Sequence, residues 1–512
     1  MAEWRAFAGG DELRGKSGKK RLDVYYDGEC PMCVSLVQNI RESDRHDRFV
    51  LHDMHCRGEL PFDKRAVERE IHLSDASGNV FRGAEAILKI AAQFPSLRAF
   101  NRFARLPPAR AAAPMVYRFV AANRRFLWGP GARLYGMKVV LLLTFAVELA
   151  MCAPLWIGPR SYPPAPVLTA LPALGSRLQY GLFAALFASA AAALVSAKPQ
   201  KYVAVFLADL LLFCIFDQTR WQPWVFQFAF LLGALALFSW DKADTAGRER
   251  TLNIARLIVA ATYIYSGLQK INLNFVGNEF PWIVQPITNL LPQAAGMLHA
   301  FGFAAPFLQV GFGVGLLTHR FRRIALVLAV AMHVFILAMF GPLGQNWNDI
   351  IWPWTAAMAA FDLLLFGGRT AATARDIVWP GRHAYHAAVL VLFGVMPAAS
   401  FFNGWDSYLS SALYSGNLTE AQIYLNDAGR RALPTVISRH LVHTSADTNV
   451  INLQHWTIDE LNVMPYPETR AFKSVARSIC GELRDKRDLV LVVHEQRAFF
   501  SRAEAGFRCW DL

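Results

Sequence analysis

Apolar positions along this chain fall into three successive patterns. From Leu22 to Phe94, short apolar runs alternate with polar turns and amphipathic stretches. Leu22–Tyr26 (LDVYY), Phe49–Asp53, Glu70–Ser74 (EIHLS) and Val80–Phe81 read as strands. Val34–Arg41, Lys64–Arg69 and Gly83–Phe94 read as helices, and Asp75-Ala76-Ser77-Gly78-Asn79 as a turn. From residue 137 to 402 the apolar runs lengthen toward the roughly 20 residues that a bilayer requires. About nine spans follow: 137–157, 178–197, 201–217, 222–240, 252–271, 302–318, 322–343, 348–366 and 384–402. After 403 the short runs return, with strands at Ala421–Leu425, Thr435–Ile437 and Leu489–His494 and a helix over Pro467–Arg484. The pattern predicts an α-helical polytopic membrane protein with an N-terminal α/β domain and a small soluble C-terminal α+β domain.

The domain boundaries follow from this pattern. Residues 1–21 are a flexible polar lead, 22–96 the α/β domain, 97–136 a basic linker, 137–402 the transmembrane domain and 403–512 the extracytoplasmic tail. The lead has no apolar core of the kind a cleaved signal peptide carries. The linker holds Arg98, Arg102, Arg105, Arg110, Arg118, Arg124, Arg125 and Arg133 and no acidic residue, which suits the cytoplasmic face and anionic headgroups.

Composition agrees with a membrane protein: 54% of residues are hydrophobic and 13% aromatic. The net charge of +13 does not indicate nucleic-acid binding, because most basic residues sit in loops between apolar runs. Lys198 and Lys201, then Lys242, Arg248, Arg250 and Arg256, then His319, Arg320, Arg322 and Arg323, then Arg369, Arg375 and Arg382 occupy alternate loops. The remaining loops carry mainly Arg160, Arg177 and Arg220. The positive-inside rule then puts the N-terminus in the cytoplasm of a bacterial-type inner membrane and the tail on the periplasmic side. Seven cysteines, an odd number, do not make a secreted disulfide framework, though Cys480 and Cys509 could pair in an oxidising periplasm.

The candidate chemistry begins at Tyr26-Asp27-Gly28-Glu29-Cys30-Pro31-Met32-Cys33, a CxxC between a strand and a helix. A helix N-terminus stabilises the thiolate of the first cysteine, so Cys30 is the nucleophile and Cys33 the resolving thiol. Two other readings stand beside this one. Cys30 and Cys33 with His52, His55 and Cys56 contain enough ligand types for zinc, and the module could also be a redox-inactive fold unit. The order β-α-β-α-β-β-α with CxxC after the first strand is that of a thioredoxin-like fold. The YDGxCPxC pattern, with the later Tyr117 and Asn123-Arg124-Arg125, resembles the DCC family of predicted thiol-disulfide oxidoreductases. No proline lies between Pro61 and Pro95 to supply the cis-proline of thioredoxins, so partner docking need not follow theirs.

Polar groups inside apolar spans are costly and mark functional candidates. Tyr263, Ser266 and Lys270 share one face of the fifth span. His333 lies mid-way along the seventh, Glu148 in the first and Asp209 in the third, and Gln345-Asn346-Trp347-Asn348-Asp349 precedes Trp352-Pro353-Trp354. Residues 134–402 resemble the HTTM membrane domain shared with vitamin K-dependent gamma-carboxylase. That family carries Y-x-x-x-G-x-x-K-hydrophobic, here Tyr263–Ile271, followed by a His-bearing helix and an aromatic-Pro-aromatic segment. The resemblance implies that Lys270 is a base toward a reduced quinone, a vitamin K-like hydroquinone being one form. It does not imply glutamate carboxylation, since no propeptide or peptide-substrate site is recognisable.

Bland roles exist for the same residues. Lys270 could snorkel to the interface, His333 could be a packing histidine, and Trp224, Trp282, Trp347, Trp352 and Trp354 could form an aromatic belt. Glu148 and Asp209 would pair with other helices. Phe280–Ile287 reads as an interfacial or re-entrant segment, or an inert surface helix. If Lys270 is functional, a cavity is expected between the fifth, seventh and eighth spans. His333 would be its neighbour, and the Asn346 loop and Trp352 would close its outer side. The expected function is a membrane-bound thiol-disulfide/quinone-type redox enzyme in which Cys30, Cys33, Lys270 and His333 act chemically. Tyr263, Ser266, Asn346 and Trp352 would bind the ligand, a quinone or lipid, with an unknown protein as thiol partner and no metal. The alternative is a non-enzymatic lipid-binding or transport-related membrane protein whose redox domain is regulatory.

Overall fold

The computed structural model describes residues 21–512 except 45, 57–60, 62, most of 98–130, 169–170, 172–173, 239, 241–243, 369–371, 380, 444–448 and 498–500. The predicted polar lead and most of the predicted basic linker lie outside the described residues. The chain divides into two compact units, Met1–Gly136 and Met137–Leu512.

The first unit has the predicted element order: β1 (Leu22–Tyr26), α1 (Pro31–Ser43), β2 (Phe49–Asp53), α2 (Lys64–Arg69), β3 (His72–Ser74), β4 (Val80–Arg82) and α3 (Gly83–Ala92). They build a mixed sheet of order β2-β1-β3-β4. β1 runs parallel to β2 and antiparallel to β3, and β3 and β4 are antiparallel. Val24 pairs with Leu51 on one side and Leu73 on the other. Val24, Leu73, Ile71, Ile40, Ala86 and Ile90 form the core, with α1 and α3 supplying the last three. Tyr117, far along the chain, closes this core: its hydroxyl accepts from the Ile71 N–H at 3.0 Å. Its ring lies against Gly83, whose φ of +55° and lack of side chain both matter, because a Cβ there would touch the ring.

The second unit opens with helices: α4 (Ala132–Met151), α5 (Ser176–Val195), α6 (Gln200–Phe216), α7 (Pro223–Leu237), α8 (Thr245–Leu268), α9 (Phe280–Leu290), α10 (Ala295–Leu317), α11 (Arg322–Phe340), α12 (Ile351–Phe366) and α13 (Ala384–Phe402). Each predicted span overlaps a helix in position, and α9 is the segment read as interfacial. Among the described residues, five helical stretches are long and apolar enough to cross a membrane: α4, α5, α11, α13 and the stretch Pro292–Leu317 that contains α10. α7 and α12 are shorter apolar helices, α6 has 17 residues, and α8 carries Arg248, Glu249 and Arg250 in its first two turns.

Polarity is inverted relative to a water-soluble fold. Leu143, Val205, Val327 and Val334 face outward, while Lys138, Glu148, Arg256 and Asp362 are buried. Lys138 donates to the carbonyls of Ala193, Leu194 and Ser196, so its charge sits on the unsatisfied C-terminal end of α5. Arg256 and Arg322, read from the sequence as loop charges, are both buried. Arg256 bonds the carbonyl of Leu365 and the side chain of Asn253, and Arg322 the carbonyls of Leu316 and Ala372. Helix ends expose carbonyls that only a long cationic side chain reaches, and this draws both arginines inward. Glu148 and Asp209 do not find the partners expected of them: neither carboxyl makes a hydrogen bond among the described residues.

The tail carries β5 (Glu420–Leu425), α14 (Asp427–Ala432), α15 (Thr435–Ser438), β6 (Leu441–His443), β7 (Asn449–Asn452), α16 (Leu453–Leu461), α17 (Thr469–Glu482), β8 (Leu489–Arg497) and β9 (Ser501–Arg508). Its antiparallel sheet has the order β6-β7-β5-β8-β9. Thr435–Ile437, predicted as a strand, is the single helical turn α15; Pro434 presets the entry, and three residues are too few for β-propensity to dominate. Cys480 and Cys509 form a disulfide across 5.8 Å between Cα atoms, tying α17 to the segment after β9.

The tail is bonded to the helical block. Glu460 accepts from the Ser161 hydroxyl (2.6 Å), the Tyr162 N–H (2.9 Å) and the Trp456 indole (2.9 Å). Gln222 donates to the Met464 carbonyl at 3.0 Å. Beside this seam Glu468, at the start of α17, is desolvated and close to Asp406, and its carboxyl is pushed up to about 7. A carboxyl raised on folding favours the native state at low pH and loses that contribution as pH rises toward its folded pKa. The tail is therefore expected to lose thermal stability between about pH 4.5 and 7. Glu468→Gln should flatten that part of the profile, and an unchanged slope in the variant would exclude Glu468 as its source.

Candidate functional site

Two places collect the residues singled out in the sequence. The first is the turn between β1 and α1. Cys30 occupies the N-cap position of α1 in extended backbone (φ −88°, ψ 111°). There the first-turn amides lack intrahelical partners and the helix dipole is positive, which favours a thiolate. The Cys30 N–H donates to the Asp27 carbonyl at 3.2 Å and the Val34 N–H donates to the Cys30 carbonyl at 3.0 Å, fixing the turn on both sides. Cys33 sits within the first turn of the helix, and both cysteines are thiols and nearly buried. A partner disulfide must therefore fit closely to reach them.

Asp53, at the end of β2, organises this turn. Its carboxylate accepts from the N–H groups of Gly28 (3.1 Å) and His55 (2.9 Å) and from the Cys56 thiol (3.6 Å). A Cβ at position 28 would run into that carboxylate, which is a physical reason for glycine in the motif. Slight desolvation and the charge of Asp53 push the Cys56 thiol up from its ordinary value. The residues of the zinc alternative are engaged singly: His52 with Asp23 (2.6 Å), His55 with Asp27 (3.0 Å) and Cys56 with Asp53. No group of three metal-ligating side chains converges among the described residues.

The second place is a cavity of about 450 Å³ in the helical block. Its wall comes from α8, α9, α10, α11, α12 and the segment around Ser411–Tyr414, so it involves more elements than the three predicted spans. Tyr263, Ser266, Lys270 and His333 all line it. The Lys270 amine donates to the Ser266 carbonyl (3.0 Å) and hydroxyl (2.7 Å). The Tyr263 hydroxyl donates to the Asp362 carboxylate at 2.8 Å and lies 2.7 Å from His333 Nε2. Gly267, between Tyr263 and Lys270, lets α8 approach α10 closely: a Cβ there would meet the Pro306 carbonyl and Val310. Gly313 does the same from α10, against Tyr263 and Ile264. The glycine of the Tyr263–Lys270 string thus seats the stripe against its neighbour.

Asn346 and Trp352 are not brought to this wall. Asn346 adopts φ +48° in the turn after α11, and the Trp352 indole turns back to the Phe340 carbonyl at 3.0 Å. Trp354 and Ile351 line the cavity in place of Trp352. Asp362 and Tyr414 were not recognised in the sequence. Asp362 carried a legible signal, an acid within the apolar run Phe361–Phe366. Tyr414 carried none, because it reaches the cavity from a loop more than fifty residues beyond α11.

No curated protein and no solved structure matches the chain. Residues 24–130 match the family model of DCC1-like thiol-disulfide oxidoreductases. The match begins within β1 and contains both cysteines of the turn and Tyr117. It supports a thiol-disulfide redox function for this part of a mostly helical chain that has five candidate membrane spans among its described residues.

Proposed function

We propose that the protein is a membrane-bound thiol-disulfide/quinone-type redox enzyme. In this reading Cys30, as thiolate, attacks a partner disulfide, forming a mixed disulfide and releasing one partner thiolate. Cys33 then attacks Cys30 Sγ, releasing the second partner thiol and leaving a Cys30–Cys33 disulfide. Two electrons pass to the partner, and the reverse sequence restores the dithiol. In the helical block Lys270 acts as base toward a hydroxyl of a quinol or other ring-bearing lipid, with Tyr263, Ser266 and His333 around it. The observation that carries the membrane half is a large apolar cavity whose few polar groups include the Lys270 amine.

The reading includes nine spans, with α6, α7, α8 and α12 crossing beside the five longer helices. The N-terminus lies in the cytoplasm and the tail on the periplasmic side of a bacterial-type inner membrane. Impermeant thiol labelling is expected to reach a cysteine placed at Asn452, in the tail, from outside intact cells, and to miss Cys56. Both labelled from the same side would remove one span.

Mass spectrometry of lipid extracted from the purified full chain tests the cavity. A quinone or other ring-bearing lipid is expected with the native protein and in a Lys270→Met variant. It should be lost in Ala305→Trp, which fills the cavity. If Lys270 is the base, Lys270→Met should retain the ligand yet lower turnover by about 10²–10⁴-fold. A second reading, a non-enzymatic lipid-binding or transport-related protein with a regulatory redox domain, draws on the predominantly apolar wall. It is favoured if Lys270→Met leaves function intact, and an empty native protein would count against both.

A further inference from the structure

Three buried side chains from three helices form a chain beside the apolar cavity. Tyr263 of α8 stands between His333 of α11 and Asp362 of α12. Its hydroxyl lies 2.7 Å from His333 Nε2 and 2.8 Å from Asp362 Oδ2, while those two partners are 3.7 Å apart. Tyr263 and His333 line the cavity and Asp362 does not, so the carboxyl bears on the cavity through the other two. Each end of the chain has an uncommitted atom. Among the described residues, His333 Nδ1 and Asp362 Oδ1 have no hydrogen-bond partner, although the two side chains are 6% and 0% exposed. A buried polar atom without a partner is costly. An imidazole nitrogen on a cavity wall can find its partner in whatever fills the cavity.

Counting protons decides what that nitrogen offers. A tyrosine hydroxyl has one proton and a neutral imidazole one N–H. With Asp362 as a carboxylate, Tyr263 donates to it and accepts from His333 Nε2–H, which leaves Nδ1 a bare acceptor. With Asp362 as a carboxylic acid, the acid donates to Tyr263, Tyr263 donates to Nε2, and Nδ1 carries the N–H. The two arrangements differ by one proton. They share the same heavy-atom positions, since both hydrogen bonds have lengths suited to either direction.

We propose that the His333–Tyr263–Asp362 chain selects between hydroxyl-bearing and carbonyl-bearing rings in the cavity. The carboxylate form takes a hydroxyl at Nδ1, and the acid form takes a carbonyl there. This selection rests on the reading that a ring-bearing lipid occupies the cavity, and it adds to that reading an oxygen-recognising group separate from Lys270. Asp362 acts through Tyr263 and is a positioning residue. The ionisable groups set near it by the helices packed on α12 are Tyr263 and Arg256 of α8 and His333 of α11. Arg256 is engaged by the Leu365 carbonyl and by Asn253. α7 touches α12 through Phe228 and Gln227 and has no ionisable residue. Lys270 and Tyr414 are the other titratable residues of the cavity wall.

Calorimetric titration of the full-length protein in detergent micelles with two probes tests it: tetramethylphenol, which offers a hydroxyl donor, and tetramethylacetophenone, a hindered aryl ketone that offers only an acceptor. Both stay uncharged below about pH 9, since phenols titrate near 10, so their partition into micelles cancels when ratios are compared across pH. From about pH 5 to about pH 9 the phenol-to-ketone affinity ratio should rise about tenfold or more, the scale of one buried hydrogen bond. Asp362→Asn and Tyr263→Phe should flatten the ratio, and Lys270→Met should keep its rise. A flat ratio in the native chain, or a rise that persists in Asp362→Asn, overturns the proposal. Loss of the rise in Lys270→Met also overturns it and leaves the base role of Lys270 standing. Failure of the native chain to bind either probe overturns this selection and the cavity reading together. If Asp362→Asn and Tyr263→Phe fail to fold, the native chain against Lys270→Met decides.

Discussion

Cys30→Ser is expected to lower the rate at which the pre-reduced protein cleaves a chromogenic aryl disulfide by at least about 10³-fold. The serine hydroxyl stays protonated at neutral pH and is a poor nucleophile at sulfur, whereas Cys30 sits at the N-cap of α1, where anionic sulfur is favoured. Cys33→Ser has a different expected signature. Attack by Cys30 still occurs, but nothing resolves the product, so a stable mixed disulfide with the probe accumulates and can be seen by mass. Cys56→Ser should leave the rate within about twofold, because its thiol is raised and donates to Asp53. Retained turnover in Cys30→Ser would remove the dithiol mechanism, and loss in Cys56→Ser alone would move the nucleophile to the loop after β2.

The largest stability effect is expected at Asp217. This carboxylate is buried between Arg160 (2.5 Å) and Arg220 (3.9 Å), with side-chain exposures of 1%, 9% and 5%. It also accepts from the N–H groups of Ala165 and Thr219, which joins the loop after α4 to the turn after α6. Arg220 itself bonds the carbonyls of Leu155 and Phe213. Asp217→Ala would leave two buried guanidinium groups facing one another without their anion. Removing one partner from a buried ion pair costs about 3–5 kcal/mol, far more than the net worth of the intact pair. Denaturant titration in micelles should show a loss of that size, whereas Asp75→Ala, at an exposed turn, should stay within about 0.5 kcal/mol. A loss below about 1 kcal/mol at Asp217 would mean that water reaches the two arginines.

Much of the first unit was legible because its elements are short, local and set by patterns that composition alone reveals. LDVYY, the DASGN turn and the amphipathic run from Gly83 each predict an element that the structure contains. The helices of the second unit were legible for a similar reason, as long apolar runs leave few alternatives. The tail was read less well. β6 and β7 have three and four residues, and β9 (SRAEAGFR) has little apolar alternation, so they exist through pairing, β7 with β5, β6 with β7 and β9 with β8, rather than through their own sequences. α15 shows the converse, a β-branched run turned into helix by the proline before it.

The sequence by itself determined the strand–turn–helix that holds Cys30 and Cys33, the positions of the apolar helices, and the Tyr263-Ser266 face that Lys270 extends in the turn just past the end of α8, because 3.6-residue periodicity places the first two side chains on one face whatever surrounds them. Tertiary structure decided what the stripe meets. Asp362 reaches Tyr263 across almost a hundred residues of chain and lies beside His333 of the preceding helix, Tyr414 comes from a loop that local propensity leaves unassigned, and Asn346 and Trp352 turn aside to satisfy nearby backbone carbonyls and a left-handed turn. Arg256 and Arg322 moved from the loops to the interior for the same physical reason. A polar group in an apolar block goes where its hydrogen bonds can be met, and where they can be met depends on which helix ends lie near one another in space.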